Sequence, residues 1–315
     1  MRTEGAQAKK YKSVDVTSVE KLISVIVPTY NYATLVTRAL DSVMTQWSDD
    51  IELIVVNDGS TDETPKVLND YVLCYPQVQV VHQNNAGPAA ARNHGVRLAS
   101  GRYALMLDAD DALLPNALDV LRRAHKFNPD AGMVLAGYQS VFPDGRERLQ
   151  LPSPVAGLPV QLIRRYLLEK KITISHSCSL FRRDLLLKHP YPENLRSSED
   201  IPVFACLLVS APVACVRQPV ARIYKHGASL RNQRKNEEAF MMEIVHEVFD
   251  GLPAECQCLR RRYEAQRYLS LFRAAFLADN KTKAREFFRR SIALSPVQAL
   301  RWAYVRKALK LWLVR

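Results

Sequence analysis

The sequence predicts an α/β protein: a mostly parallel central sheet with helices on both faces, followed by a helical C-terminal region. Three observations predict it. From Leu22 onward, short β-branched runs alternate with amphipathic stretches, the pattern of buried strands joined by crossover helices. Clusters of Asn, Asp, Gly and Pro punctuate these runs. Beyond about Glu237 the strand patterns stop and helical spacing continues to the end.

The elements follow in order. Ile23-Ser24-Val25-Ile26-Val27 reads as the first strand, and Pro28 ends it. Leu35, Val36, Ala39, Leu40 and Val43 then recur at helical spacing. Ile51 to Val56 is a second strand, closed by the turn-rich Asn57-Asp58-Gly59-Ser60. Val78 to Val81 is a third, Gly87-Pro88 opens a helix to about Ala99, and Tyr103 to Leu107 is a fourth strand. Pro115 begins a helix with Ala117, Leu118, Leu121 and Ala124 on one face, and Met133 to Ala136 is a fifth strand. After Tyr138 the regularity weakens. Gly157 to Lys171 and Glu199 to Val209 read as helices, and the strand-like Val220 to Tyr224 leads into a basic loop, Lys225 to Lys235.

Composition narrows the class. With 315 residues, 48% hydrophobic and 24% charged, the chain is an ordinary globular protein with room for a large domain and a smaller one. Its six cysteines form no Cys-x-x-Cys pair, which argues against structural zinc and against a secreted disulfide framework. Met1 to Glu20 is polar, without the apolar stretch of a signal peptide, so a cytoplasmic location is expected. The net charge is +12, yet it is confined to one end: 29 basic and 29 acidic residues precede Arg260, whereas the chain from Arg260 onward holds 15 basic and three acidic residues. A basic tail on a neutral body argues against nucleic acid as a partner.

Ligands of open α/β sheets bind outside the carboxyl ends of the strands. That rule selects Pro28-Thr29-Tyr30-Asn31, Asn57 to Asp62, and Asp108-Ala109-Asp110-Asp111, all expected along one edge. Asp108 and Asp110, one residue apart, offer hard oxygen ligands for Mg²⁺ or Mn²⁺, which would neutralise a diphosphate. The alternative is that Asp110 and Asp111 cap the helix that starts near Pro115. Tyr30 also reads as a surface aromatic, Asp58-Gly59 as a turn, and Arg92 as a helix-surface ion-pair partner. Ser197 or Ser198 would cap the helix that begins at Glu199-Asp200.

Five ordered motifs carry a resemblance. They are Val27-Pro28-Thr29-Tyr30-Asn31, Asn57 to Asp62, Asn85-Ala86-Gly87 through Ala91-Arg92-Asn93, Leu107 to Asp111, and Ser198-Glu199-Asp200. Residues 22 to about 232 resemble a family 2 glycosyltransferase of the GT-A fold, of the kind that assembles bacterial surface polysaccharide or lipopolysaccharide. The resemblance implies a nucleotide-sugar site: Pro28 and Tyr30 against the base, Asp58 hydrogen-bonded to it, and Arg92 reaching the same pocket. Asp108 would face the ribose and metal, Asp110 would bind Mn²⁺ or Mg²⁺, and His226 would lie near the diphosphate and metal. Asp200 would be the catalytic base, with Glu199 orienting the acceptor or the loop. The expected reaction is an inverting transfer from a UDP- or dTDP-sugar to a hydroxyl of a glycan or lipid-linked acceptor. A nucleotidyltransferase is the alternative, but no Gly-rich phosphate loop follows the first strand. A non-catalytic adaptor is another, with the C-terminal helices as its binding surface.

This reading divides the chain into a polar extension (1–21), a catalytic domain (22–236) and a basic helical region (237–315). Within the last, 263–296 resembles one tetratricopeptide-type hairpin, with Phe272 where a small residue is usual. One hairpin makes no solenoid, so it is expected to pack on the main domain. In the terminal helix, Arg306, Lys307 and Lys310 share one face, and Leu300, Tyr304, Ala308, Leu311 and Trp312 lie opposite. That pattern suits peripheral contact with an anionic membrane. The competing reading is a terminal helix packed on the domain.

Overall fold

The computed structural model describes residues 21–225 and 237–313. Nine strands form one sheet: β1 (Ile23–Thr29), β2 (Ile51–Asp58), β3 (Val78–Gln83), β4 (Tyr103–Met106), β5 (Ala112–Leu113), β6 (Met133–Val141), β7 (Glu147–Gln150), β8 (Ser179–Arg182) and β9 (Val213–Tyr224). Their order is β3-β2-β1-β4-β8-β6-β9-β5, with β7 beside β6. The β3-β2-β1-β4 half is wholly parallel, with Thr29 opposite Asn57 and Ile26 opposite Met106. The loops after β1, β2 and β4 therefore leave one edge together, as the sequence pattern predicts. β8 enters antiparallel to both β4 and β6, so the other half is mixed. The two-residue β5 and the exposed, polar β7 have no strand pattern to read.

Alternation along β1 sets the two faces. Val25 and Val27 join Leu53 and Val55 under α1 (Val36–Met44) and α4 (Ala117–Phe127). On the other face Ile26, Ile54 and Val56 meet α3 (Pro88–Leu98). Gly95 of α3 lies so close that an added Cβ would sit 2.3 Å from Ile26 Cγ2. That contact fixes α3, and with it Arg92 and Asn93, against the sheet.

The core on the α3 face continues into the C-terminal helices. Phe204 and Leu207 of α7 (Asp200–Ser210) share it with Phe249 of α8 (Glu237–Asp250), Tyr263 and Phe272 of α9 (Arg260–Leu277) and Phe288 of α10 (Lys281–Leu294). Phe272 is fully buried, with its ring 5.1 Å from that of Phe288 and 6.3 Å from that of Tyr304. An aromatic cluster thus replaces the close approach that a small residue would give. Two short helices, α11 (Pro296–Ala299) and α12 (Trp302–Leu313), end the described chain. Ala308 and Leu311 of α12 are buried, so most of the apolar arc expected at a membrane packs on the protein instead. The Trp312 side chain lies outside the described residues. Of the apolar groups that remain exposed in these two helices and between them, Val297, Leu300 and Trp302 cluster at the α11–α12 junction beside Arg301, and Leu309 lies farther along α12. Among the described residues no helix is long and apolar enough to cross a membrane.

Candidate active site

The first two motifs are tied to each other. Asn31 takes a left-handed backbone (φ 58°), its amide donates to Ser60 Oγ (2.9 Å), and its Oδ1 accepts from the Thr61 amide (2.8 Å). Tyr30, 43% exposed, is left at the mouth of this junction. Asp58 is buried at the end of β2 and holds the next loop: it accepts from Gln83 Nε2 (2.8 Å) and from the amides of Ala86 (2.9 Å) and Gly87 (2.8 Å). Gly59 follows at φ 69°, and a Cβ there would lie 2.6 Å from the Asn85 nitrogen, so glycine is required.

Arg92 stands at the centre. Its Nη1 donates to Glu199 Oε1 (2.5 Å) and its Nη2 to Asp108 Oδ1 (3.0 Å). The guanidinium and Glu199 are 8% and 10% exposed, whereas Asp108 is 38% exposed and open to the edge. Burial works against the Arg92 charge, but Asp108 and Glu199 outweigh it and hold its pKa above the ordinary value. Next to it, Asn93 donates to the Tyr191 carbonyl (2.8 Å) and Glu193 (2.9 Å) and accepts from the Tyr191 amide (2.9 Å). Tyr191 in turn meets the buried His176 through its hydroxyl (3.2 Å). Burial, reinforced by Arg92, pushes His176 far below the usual histidine range and keeps it neutral.

The acidic turn after β4 divides its work. Burial and the neighbouring Asp110 and Glu199 push the Asp108 carboxyl up, against Arg92. Asp110 lies within 3.5 Å of the Tyr32 hydroxyl, whose pKa burial and the acidic turn raise to about 12. Arg38 donates to the Asp110 carbonyl and stacks on Tyr224 (3.7 Å to the ring centre). Asp111 is buried. It accepts from Ser177 Oγ (2.6 Å) and the Tyr224 amide (3.1 Å), and burial with Asp108 raises its carboxyl to about 8. The turn is thereby pinned to β9 and to the 176–178 segment.

A family profile decides what this edge belongs to: that of glycosyl transferase family 2 matches residues 24–189, more than half of the chain. The chain belongs to glycosyl transferase family 2. Among its relatives, an uncharacterized glycosyltransferase of Rickettsia bellii is 30% identical over 192 residues, 60% of this chain and 26% of that protein. The protein EpsH of Bacillus subtilis is 28% identical over 222 residues, 68% of this chain and 64% of EpsH. The chain thus spans less than two thirds of either relative. The crystal structure of S. aureus TarS 1-349 with UDP superposes with a TM-score of 0.65 at 21% identity, covering 92% of this chain and 89% of TarS. At that identity the likeness is one of fold, the GT-A fold.

In this family 2 chain the expected site residues separate into groups. Pro28, Tyr30, Asp58, Asp108 and Asp110 lie along one edge, with Glu199 joined to Asp108 through Arg92. Arg92, expected to reach the base pocket with Asp58, has its guanidinium between Asp108 and Glu199. Glu199 is occupied by that guanidinium, while Asp200, the first residue of α7, is partly exposed. No side-chain hydrogen bond caps α7, so Ser197 and Ser198 do not cap it; Ser198 takes φ 62° and bends the chain into the helix. Neither Asp110 nor Asp111 caps α4, which begins after a left-handed Asn116. His226 and the rest of the basic loop with Arg231, Arg234 and Lys235 lie outside the described residues.

Sequence reasoning missed Tyr32, Arg38, Asp111 and Ser177, which hold the acidic turn, and Asn93 and Tyr191, which tie α3 to the chain near 191 under the Arg92 guanidinium. Only Asp111 and Asn93 carried a local signal, as members of motifs. For a divalent cation, Asp108 and Asp110 are the available carboxylates; among the described residues no cluster of three His, Cys, Asp or Glu suits a metal. Two carboxylates completed by diphosphate oxygens and water are an ordinary Mg²⁺ or Mn²⁺ set. The crowding that raises Asp108 is what a cation there would relieve, so the residues fit.

Proposed function

We propose that this chain is an inverting glycosyltransferase that moves a sugar from a UDP- or dTDP-sugar to a hydroxyl of a glycan or lipid-linked acceptor. One observation carries the reading. A single buried guanidinium, Arg92, fastens the acid at the donor edge (Asp108) to the carboxylate next to the partly exposed Asp200. Donor recognition and proton abstraction are thus held at a fixed relation.

The chain's residues divide the reaction between them. Tyr30, exposed at the mouth and preceded by Pro28 and Thr29, stacks on the base. Asp58 fixes the Ala86–Gly87 backbone of the pocket and keeps acceptor capacity for a base N–H. Asp108 faces the ribose. Asp200 takes the acceptor proton as the oxygen attacks the anomeric carbon, and Glu199 holds the α7 start in register through Arg92. Asp108 and Asp110, with His226 as a further candidate, would hold Mn²⁺ or Mg²⁺, which supplies charge neutralisation to the departing diphosphate. One displacement inverts the anomeric centre. NMR of the new linkage decides it: a retained configuration overturns the mechanism. Isothermal titration of UDP with and without Mn²⁺ separates this reading from that of an adaptor, for which neither should bind.

We also propose peripheral association with the cytoplasmic face of an anionic membrane, in surface polysaccharide or lipopolysaccharide assembly. The exposed Val297, Leu300 and Trp302 beside Arg301 support this, with Arg306 and Lys310 also exposed. Each basic side chain near such a surface contributes about 1 kcal/mol.

A further inference from the structure

The acidic turn is held from the α1 side by side chains to which the proposed reaction assigns no part. Arg38, Ser42 and Gln46 recur at every fourth position, on one face of α1 and just past its end. All three reach main-chain groups of the segment that leaves the turn. Arg38 donates to the Asp110 carbonyl. Ser42 Oγ accepts from the Leu113 amide (2.9 Å). The Gln46 side-chain amide donates to the Leu114 carbonyl (3.0 Å) and accepts from the Leu118 amide (3.2 Å). One helix face thus fixes the backbone at Asp110, Leu113, Leu114 and Leu118. Of the three side chains, only Arg38 bonds to a residue proposed to act in the reaction.

The Arg38 guanidinium has a second contact. It lies 3.7 Å from the centre of the Tyr224 ring, and the Tyr224 amide donates to Asp111 Oδ1 (3.1 Å). Arg38 is therefore wedged between the acidic turn and the last residue of β9. A guanidinium suits that place, because its edge donates to a carbonyl while its flat face stacks on a ring. The Asp110 carboxylate is met separately by the Tyr32 hydroxyl, 3.5 Å from Oδ2. Asp110 is thus held at its main chain by Arg38 and approached at its side chain by Tyr32. A shift of the carbonyl would carry the carboxylate with it.

We propose that Arg38 is a positioning residue for the divalent cation: by holding the Asp110 carbonyl against Tyr224, it sets where the Asp110 carboxylate stands. Groups that orient a ligand without touching the cation change its affinity by about 10- to 100-fold. The inference rests on the reading of Asp110 as a cation ligand.

The test titrates Mn²⁺ into the full chain with UDP present and no acceptor, and follows loss of the free-ion paramagnetic resonance signal against a blank of UDP alone. No turnover enters the readout. Arg38→Met should weaken Mn²⁺ binding about tenfold. Arg38→Lys, which keeps a charged donor but loses the flat face, should recover part of that loss. Arg38 is only partly buried, so Arg38→Met should fold. Tyr224→Leu is the second arm: it frees the guanidinium without touching Asp110, and it should weaken Mn²⁺ binding by a smaller factor. Gln46→Leu loosens the same segment at its far end. It should lower Tm and leave Mn²⁺ affinity unchanged. Wild-type Mn²⁺ affinity in Arg38→Met or in Tyr224→Leu overturns the inference. An equal loss in Gln46→Leu also overturns it, because general loosening of the segment would then suffice. Asp110→Ala separates the two readings. If it leaves Mn²⁺ affinity unchanged, Asp110 is no ligand and both readings fall. If it abolishes binding that Arg38→Met leaves intact, only the positioning role falls.

Discussion

Replacing Arg92 by methionine keeps the length of the side chain and removes both ion pairs. The two losses differ. Asp108 is 38% exposed, and water can take over its partner, which limits that loss to about 1 kcal/mol or less. Glu199 is 10% exposed and would be left as a buried carboxylate without its cation, a loss of about 3–5 kcal/mol. The expected total is therefore about 3–5 kcal/mol, nearly all of it through Glu199. At about 2 °C per kcal/mol for a chain of this size, Tm should fall by roughly 6–10 °C. Adding Glu199→Gln removes the stranded charge while keeping its shape, and the double variant should recover about 2 kcal/mol or more. Urea unfolding of wild type, both single variants and the double variant measures this cycle. A cost under about 1 kcal/mol for Arg92→Met, or no recovery in the double variant, would refute the buried bridge.

Other expectations follow from the same geometry. Asp200→Asn should keep UDP affinity while turnover falls about 10²- to 10⁴-fold, the range for a general base; near-normal turnover would place the base elsewhere. Asp110→Ala should abolish the metal dependence of nucleotide binding in calorimetry, and an unchanged Mn²⁺ effect would remove Asp110 as ligand. His176 is buried with its pKa depressed, so below about pH 6.5 the unfolded chain takes up a proton that the folded chain does not, and stability falls with pH by up to about 1.4 kcal/mol per unit. Between pH 7 and 5 the wild type should lose about 1–2 kcal/mol more than His176→Phe; identical pH profiles would contradict a neutral buried ring. Trp302→Glu should weaken flotation with anionic vesicles and raise their salt sensitivity while UDP binding stays intact. Equal flotation would remove the α11–α12 junction as a contact surface.

Much of the parallel half of the sheet was legible because its strands are buried on both faces and separated by turn residues. Helices α1 and α4 were legible for a related reason: Val36, Ala39, Leu40 and Val43, like Ala117, Leu118, Leu121 and Ala124, mark one buried face each. The mixed half was not. β7 is largely exposed, β5 has two residues, and β8 is fixed by antiparallel partners on both sides rather than by its own pattern. The site divides along the same line. Motif residues announced which side chains matter, but the partner of each is set by contacts across long sequence distances. Arg92 reaches Glu199 over 107 positions, and Asn93 reaches Tyr191 over 98. No local pattern could show that Arg92 bridges two acids.

The tail shows the limit from the opposite side. A helical wheel finds an apolar arc in α12 but cannot say what covers it. Here the answer lies 32 residues upstream and on a different helix: Phe272 offers Tyr304 a ring, and the cluster that contains Phe272 and Phe288 also takes up Ala308 and Leu311. Burial inside the protein uses the same apolar surface that a membrane would use, so one arc cannot serve both. What remains for a membrane is what the packing leaves exposed, Leu309 and the α11–α12 junction, where Trp302 is 72% exposed. Truncating the chain before Val297 would therefore be a poor probe of membrane contact, because it strips Ala308 and Leu311 from the core as well as the junction from the surface. A point substitution at Trp302 acts on the surface alone.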